Sequence, residues 1–237
     1  MRTRIFLTLA MAALGVACSK PKTDAAPAPE PSAAVEPAPS ETSPVEATLP
    51  PAPEFDASAA PAGVYKSDPG HSYLSFSYNH MGYSNPIARW GAWSAELNWD
   101  PAAPELSTVT ATVDVASVDT GVEKLDEHLK AADFFDAAAN PTITFKSTGL
   151  ALNGGAAATM TGDLTIKGVT KPVTLDVTIN KAADDSFAKA YKLGFSATGV
   201  LNRSDFGVDL YVPMVSDQVS FKIETEFEMP KAETAAQ

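Results

Sequence analysis

Val219-Ser220-Phe221-Lys222-Ile223-Glu224-Thr225-Glu226-Phe227-Glu228 decides the fold. Successive side chains on a β-strand point to opposite faces. Here Val219, Phe221, Ile223, Thr225 and Phe227 share one face, and Ser220, Lys222, Glu224, Glu226 and Glu228 share the other. The stretch therefore reads as a strand that is greasy on one side and wet on the other.

The same period of two recurs upstream. Leu74, Phe76 and Tyr78 alternate with Ser75, Ser77 and Asn79, and Trp93, Ala95, Leu97 and Trp99 alternate with Ser94, Glu96 and Asn98. Val109 to Val115, Ile143 to Phe145, Leu164 to Ile166, Val173 to Ile179 and Leu193 to Ala197 repeat it. Turns separate these runs, one of them expected over Gly168 to Pro172 and another over Asn202 to Gly207. About eight amphipathic strands in one flat sheet would leave a greasy face and two edges in water. Closing the sheet into an antiparallel barrel removes both problems. The expected class is all-β, an eight-stranded antiparallel barrel with one inserted α-helix. That helix lies within Gly121 to Phe135, where Val122, Leu125, Leu129 and Ala132 have helical spacing and Asp119 or Thr120 stands at the capping position.

Outside the barrel the composition changes. Arg2 and Arg4 precede an apolar run from Ile5 to Ala17, too short to span a bilayer and suited to a signal peptide over 1–17. Leu14-Gly15-Val16-Ala17-Cys18 resembles a bacterial lipobox, with Gly15 at a position where the pattern prefers Leu; ordinary cleavage near Ala17 is the alternative. Cys18 is the only cysteine, so no disulfide forms within the chain. Residues 18–62 read as a lipidated cysteine followed by a Pro/Ala-rich tether, unable to bury a core and able to reach about 100 Å at about 3.1 Å per residue. Residues 63–229 form the barrel, and 230–237 a small, polar tail. The formal net charge of -12 argues against nucleic acid as a partner.

Several blocks together resemble the YceI-like family of exported bacterial proteins. They are Val64 to Ser72, Ser117 to Gly121, Asp126 to Asp136, Asn140 to Ser147, Gly162 to Val173 and Asn202 to Gly207, in order along the whole folded unit. The resemblance implies a lipocalin-like barrel with a long hydrophobic pocket for a polyisoprenoid or similar amphiphile. It also implies a place in the periplasm and links to stress responses and isoprenoid-quinone metabolism. Tyr211 to Val215 follows no firm family pattern.

Little in the residues suggests catalysis. No Gly-x-Ser-x-Gly elbow is present, and Asp205-Phe206-Gly207 lacks every other kinase signature. A metal held by His71, His80 and His128 is not expected: the first two lie about 30 Å apart at roughly 3.3 Å per residue, and the third is on the helix. His71 is expected to make structural hydrogen bonds near the barrel entrance, and His128 to anchor the helix. Neither a catalytic residue, a cofactor nor a metal ligand is assigned.

The expected ligand-binding residues are Phe76, Tyr78, Trp93, Leu164, Phe195, Phe221 and Ile223 on the inner face. Arg89 and Arg203 are candidates for an acidic head group at the mouth, or for surface ion pairs, Arg203 with Asp205. Alternation does not distinguish a filled core from a lined cavity. The expected function is binding of a polyisoprenoid or isoprenoid quinone by a lipoprotein of the bacterial envelope, facing the periplasm, with a homodimer left open. A packed barrel serving as an envelope interaction module is the rival.

Overall fold

Phe221 stands opposite Phe76 on one neighbouring strand and opposite Gly199 on the other, so the strand that decides the fold is paired on both sides. The computed structural model describes residues 55–231. The expected signal peptide, Cys18 and most of the expected tether and tail lie outside the described residues.

The strands are β1 (Gly63–Ser67), β2 (Tyr73–His80), β3 (Ile87–Trp90), β4 (Trp93–Trp99), β5 (Thr108–Asp114) and β6 (Val118–Asp119). After helix α1 (Glu123–Lys130) come β7 (Thr142–Leu152), β8 (Ala157–Ile166), β9 (Val169–Asp185), β10 (Ala190–Asn202) and β11 (Val215–Pro230). All pairings are antiparallel, in the order β1-β4-β5-β7-β8-β9-β10-β11, and β1 closes the ring on β11 through Lys66–Glu228 and Ser67–Phe227. Segments β2, β3 and β6 continue β1, β4 and β5. β2 follows β1 along β11, and it pairs with β3 just as β1 pairs with β4. Eleven segments are therefore eight barrel strands, three of them broken at one level, which is the expected fold.

His71 sits at the first break, not near the entrance. Its Nδ1 lies 2.6 Å from Asp68 Oδ2, and that hydrogen bond holds the imidazole pKa above its ordinary value. Lys192 completes the cluster, 2.9 Å from Glu226 and 3.8 Å from Asp68.

The turn expected over Gly168 to Pro172 is tighter. Lys167 and Gly168 both have positive φ, a two-residue connection that matches the twist of the flanking strands, and Val169 to Pro172 already belong to β9. The helix is also shorter than its spacing suggested. Val122 is its cap residue and makes no side-chain bond. Asp126 instead reaches back, accepting from Thr120 N and Thr120 Oγ1 at 2.7 Å. Asp119 is engaged by Arg89 and by Gly121 N. Ala131 leaves the helical region, so Phe134 and Phe135 pack from a turn.

One barrel end is closed by residues assigned above to the tether. Phe55 to Ala62 fold against the β-sheet: Ala57–Ala59 make a 3₁₀ turn capped by Asp56, and Ala60 is fully buried. Trp99 Nε1 donates to Ala60 O at 3.2 Å, Tyr65 Oη donates to Pro61 O at 2.7 Å, and Phe55 meets Trp99 edge-on at 6.0 Å. The folded unit thus begins by Phe55. The tether reading fails here because Phe55, Ala57 and Ala60 supply enough apolar surface to pack. At the other terminus Lys231 N donates to Lys189 O, so the barrel runs through the first residues of the expected tail.

Tyr65 has no exposed surface, and burial, reinforced by Tyr191, pushes its pKa up to about 12. A tyrosine with a raised folded pKa favours folding fully below the unfolded value, about 10, and loses that contribution as pH rises through the folded value. Urea midpoints are expected to fall between pH 10 and about 12, and to fall less steeply in Tyr65→Phe. Equal slopes in the two proteins would contradict this.

Candidate functional site

Leu74, Phe76, Tyr78, Phe145, Leu164, Phe195, Phe221 and Ile223 all face inward, yet each is only partly buried. The surface they keep is the surface of a cavity. Its volume is about 440 Å³, within the range typical of ligand pockets. Nearly all of the lining is aliphatic or aromatic. Between Val219 and Phe227 the cavity follows β11 for about 26 Å at 3.3 Å per residue, or about 20 Å along the axis of a barrel with strands tilted by about 40°.

Two glycines shape the wall. A Cβ on Gly199 would lie 2.3 Å from Phe221 Cζ, and one on Gly162 would lie 2.3 Å from Phe145 Cζ. Each phenyl ring therefore lies flat over a glycine of the neighbouring strand. Side chains at 162 and 199 would drive both rings into the lumen.

The two ends differ. Near the closed end the lining residues Leu97, Trp99 and Ser107 are buried. At the other end the lining reaches His80, His128, Leu210 and Tyr211, and Tyr211 is 48% exposed. This is the mouth. Helix α1 lies across part of it, with His128 edge-on to Phe134 at 4.8 Å and to Tyr211 at 6.3 Å. His128 Nε2 lies 3.2 Å from Asp133 Oδ2. The imidazole ties the helix to the turn after it, and it also borders the opening.

Seven of the expected ligand-binding residues line this cavity: Phe76, Tyr78, Trp93, Leu164, Phe195, Phe221 and Ile223. The two arginines are engaged by protein groups rather than presented free to the cavity. Arg89 is on the outer face, where Nη2 pairs with Asp119 Oδ2 at 2.7 Å and both side chains are exposed. Arg203 borders the cavity but is 9% exposed and faces carbonyls rather than a ligand. Its Nε donates to Ser216 O, Nη1 to Val208 O and Leu210 O, and Nη2 to Val215 O, at 2.7–3.0 Å. Four of its five donors thus hold the β10–β11 connection, and the expected Asp205 pairing does not form. Sequence reading missed Leu125, His128, Leu129 and Phe135 as lining residues. The helical spacing of Leu125 and Leu129 was visible, but which way the helix faces was not, and Phe135 packs from the turn after it.

The YceI-like domain family matches residues 65–227. The chain belongs to the YceI-like family. A UPF0312 protein of Pseudomonas aeruginosa is 34% identical over 174 residues, which are 73% of this chain and 90% of that relative. The crystal structure of BcnA from Burkholderia cenocepacia is 29% identical with a TM-score of 0.60, covering 68% of this chain and 98% of BcnA. A polyisoprenoid binding domain from Saccharophagus degradans, implicated in plant cell wall breakdown, shares the fold at 13% identity. Its TM-score is 0.54, with 71% of this chain and 99% of that domain covered. The YceI-like barrel of this chain is therefore a lipocalin-like barrel with an open mouth and a closed base.

Proposed function

We propose that this YceI-like barrel binds a long apolar amphiphile, a polyisoprenoid or an isoprenoid quinone, with its chain in the lumen and its head at the mouth. The carrying observation is the apolar cavity of about 440 Å³, closed at one end. Burying a chain there is favourable at about 0.8 kcal/mol per methylene. Shared architecture with a polyisoprenoid binding domain supports the same reading. The rival interaction module calls for a packed barrel, and the apolar lumen supports the binding reading over it.

The head group is uncharged in this proposal. Among the described residues no Lys, Asp or Glu lines the cavity, and Arg203, the one guanidinium there, is occupied by backbone carbonyls. An alcohol or quinone oxygen near His80, His128 and Tyr211 suits such a site better than a phosphate. The reading is binding or transfer rather than catalysis. Extracting the purified full-length protein with organic solvent and analysing the extract by mass spectrometry should recover a neutral long-chain lipid. A folded protein that releases none would refute the function, and a polyprenyl phosphate would refute the neutral head.

The envelope location and the lipid anchor are part of the same proposal, resting on the Arg2 to Cys18 pattern. Cys18→Ala is expected to move the protein from the membrane fraction to the soluble one. Unchanged membrane retention would count against the anchor.

A further inference from the structure

The mouth is ringed by apolar side chains that nothing among the described residues covers. Met81 is 52% exposed, Tyr83 85%, Met214 59% and Tyr211 48%. The first two lie on the β2–β3 connection and the last two on the β10–β11 connection. Met81 N donates to Met214 O at 3.1 Å, so the two connections form one platform. Ile87, facing outward at the start of β3, extends the apolar surface down the wall.

Charge sets this platform apart. Residues 81–86 contain no Asp, Glu, Lys or Arg, and residues 207–214 contain only Asp209, in a chain that is 19% charged with a formal net charge of -12. Asp209 lies within the electrostatic reach of Arg203. The other titratable groups around the opening include His80, the His128–Asp133 pair and Asp217, whose carboxylate accepts from Ser204 N and Ser204 Oγ. They also include Lys167, whose Nζ donates to Ala132 O and Gly207 O, and Glu123, Lys124, Asp126, Glu127 and Lys130 of the helix across the mouth. The apolar platform is also continuous with the cavity lining, through Tyr211 and His80. Phe55, where the described chain begins, is packed at the opposite end.

From these observations we infer that the rim of Met81, Tyr83, Tyr211 and Met214 docks the barrel, mouth first, onto the surface of an electrically neutral lipid bilayer. Methionine and tyrosine suit that place, because an apolar body enters the acyl boundary while the tyrosine hydroxyl stays with the head groups. The low charge of the platform avoids the desolvation penalty that acidic loops would incur there, while the acidic remainder of the molecule disfavours anionic membranes. Docked in this way, a chain passes between bilayer and lumen without crossing water. The inference rests on the lumen reading for its purpose, but its test does not.

The test is flotation of the full chain carrying Cys18→Ala with phosphatidylcholine vesicles, compared with the same chain carrying Met81→Ser, Tyr83→Ser and Met214→Ser. None of those three residues lines the cavity. The triple variant is expected to partition at least tenfold more weakly, while Phe187→Ser, at a residue 99% exposed on the far β9–β10 turn, leaves partitioning unchanged. Tyr83→Trp should bind and shift its emission to the blue on adding vesicles, a readout that does not depend on loss. A parent that stays unbound, a triple variant that floats equally well, or a rim that instead drives self-association without vesicles would each overturn the inference. Lipid extraction from the triple variant separates the two readings, since a rim failure leaves the extracted ligand in place.

Discussion

Arg203→Ala is expected to destabilise the folded domain by about 3–5 kcal/mol, the loss typical of removing one partner from a buried polar network. The guanidinium is the common donor for the carbonyls of Val208, Leu210, Val215 and Ser216, which otherwise have no reason to converge. Each carbonyl left unpaired away from water costs about 1–3 kcal/mol, reduced where the connection relaxes toward solvent. Gly207, in the left-handed region at φ 69°, places the chain for this convergence, and its N–H closes the 3₁₀ turn Arg203–Phe206 onto Arg203 O and Ser204 O. Arg203→Lys should restore less than half of the loss, because one ammonium does not reach four carbonyls arranged around a planar fork. Denaturant unfolding monitored by circular dichroism measures both variants. A loss below about 1 kcal/mol for Arg203→Ala would show that the connection holds itself.

Ala197→Phe is the counterpart for binding. Ala197 lines the lumen, opposite Ile223 on β11 and Val177 on β9. Ala197 is buried in a cluster with Leu175 and Val177, so a phenyl ring there has to swing into the adjoining lumen. Stability should fall by no more than the about 1–3 kcal/mol typical of overpacking. The ligand chain is displaced from about four methylene lengths of wall. At about 0.8 kcal/mol each this is about 3 kcal/mol, roughly a hundredfold in affinity. Displacement of a fluorescent fatty probe from the purified protein reads this directly. Unchanged affinity would mean that the chain does not run past β10.

How much of this was legible beforehand follows from what each signal measures. Alternation such as that from Val219 to Glu228 reports which side of a strand is apolar, and it reported that correctly for the eight runs read, while the short segments β1, β3 and β6 were not among them. It also named Phe76, Tyr78, Trp93, Leu164, Phe195, Phe221 and Ile223 as inward. For Arg89 the surface ion pair, one of the two readings left open, is the one that forms, and the carbonyl partners of Arg203 were not foreseen, because a cation's partner is set by tertiary neighbours. Arg89 meets Asp119 thirty residues on, and Arg203 meets carbonyls of a connection whose path no local pattern specifies. The tether boundary was misread because Phe55 to Ala62 look unable to form a core alone, whereas Trp99 and Tyr65 provide one for them to join.

From the residues alone came the antiparallel closure, since eight strands with one apolar face each have few other ways to leave water. The hollow interior came only from the tertiary structure. A filled and an empty barrel share the same alternation. The difference lies in whether facing side chains meet across the axis, and here Phe145 and Phe221 lie back over Gly162 and Gly199 and leave the centre open.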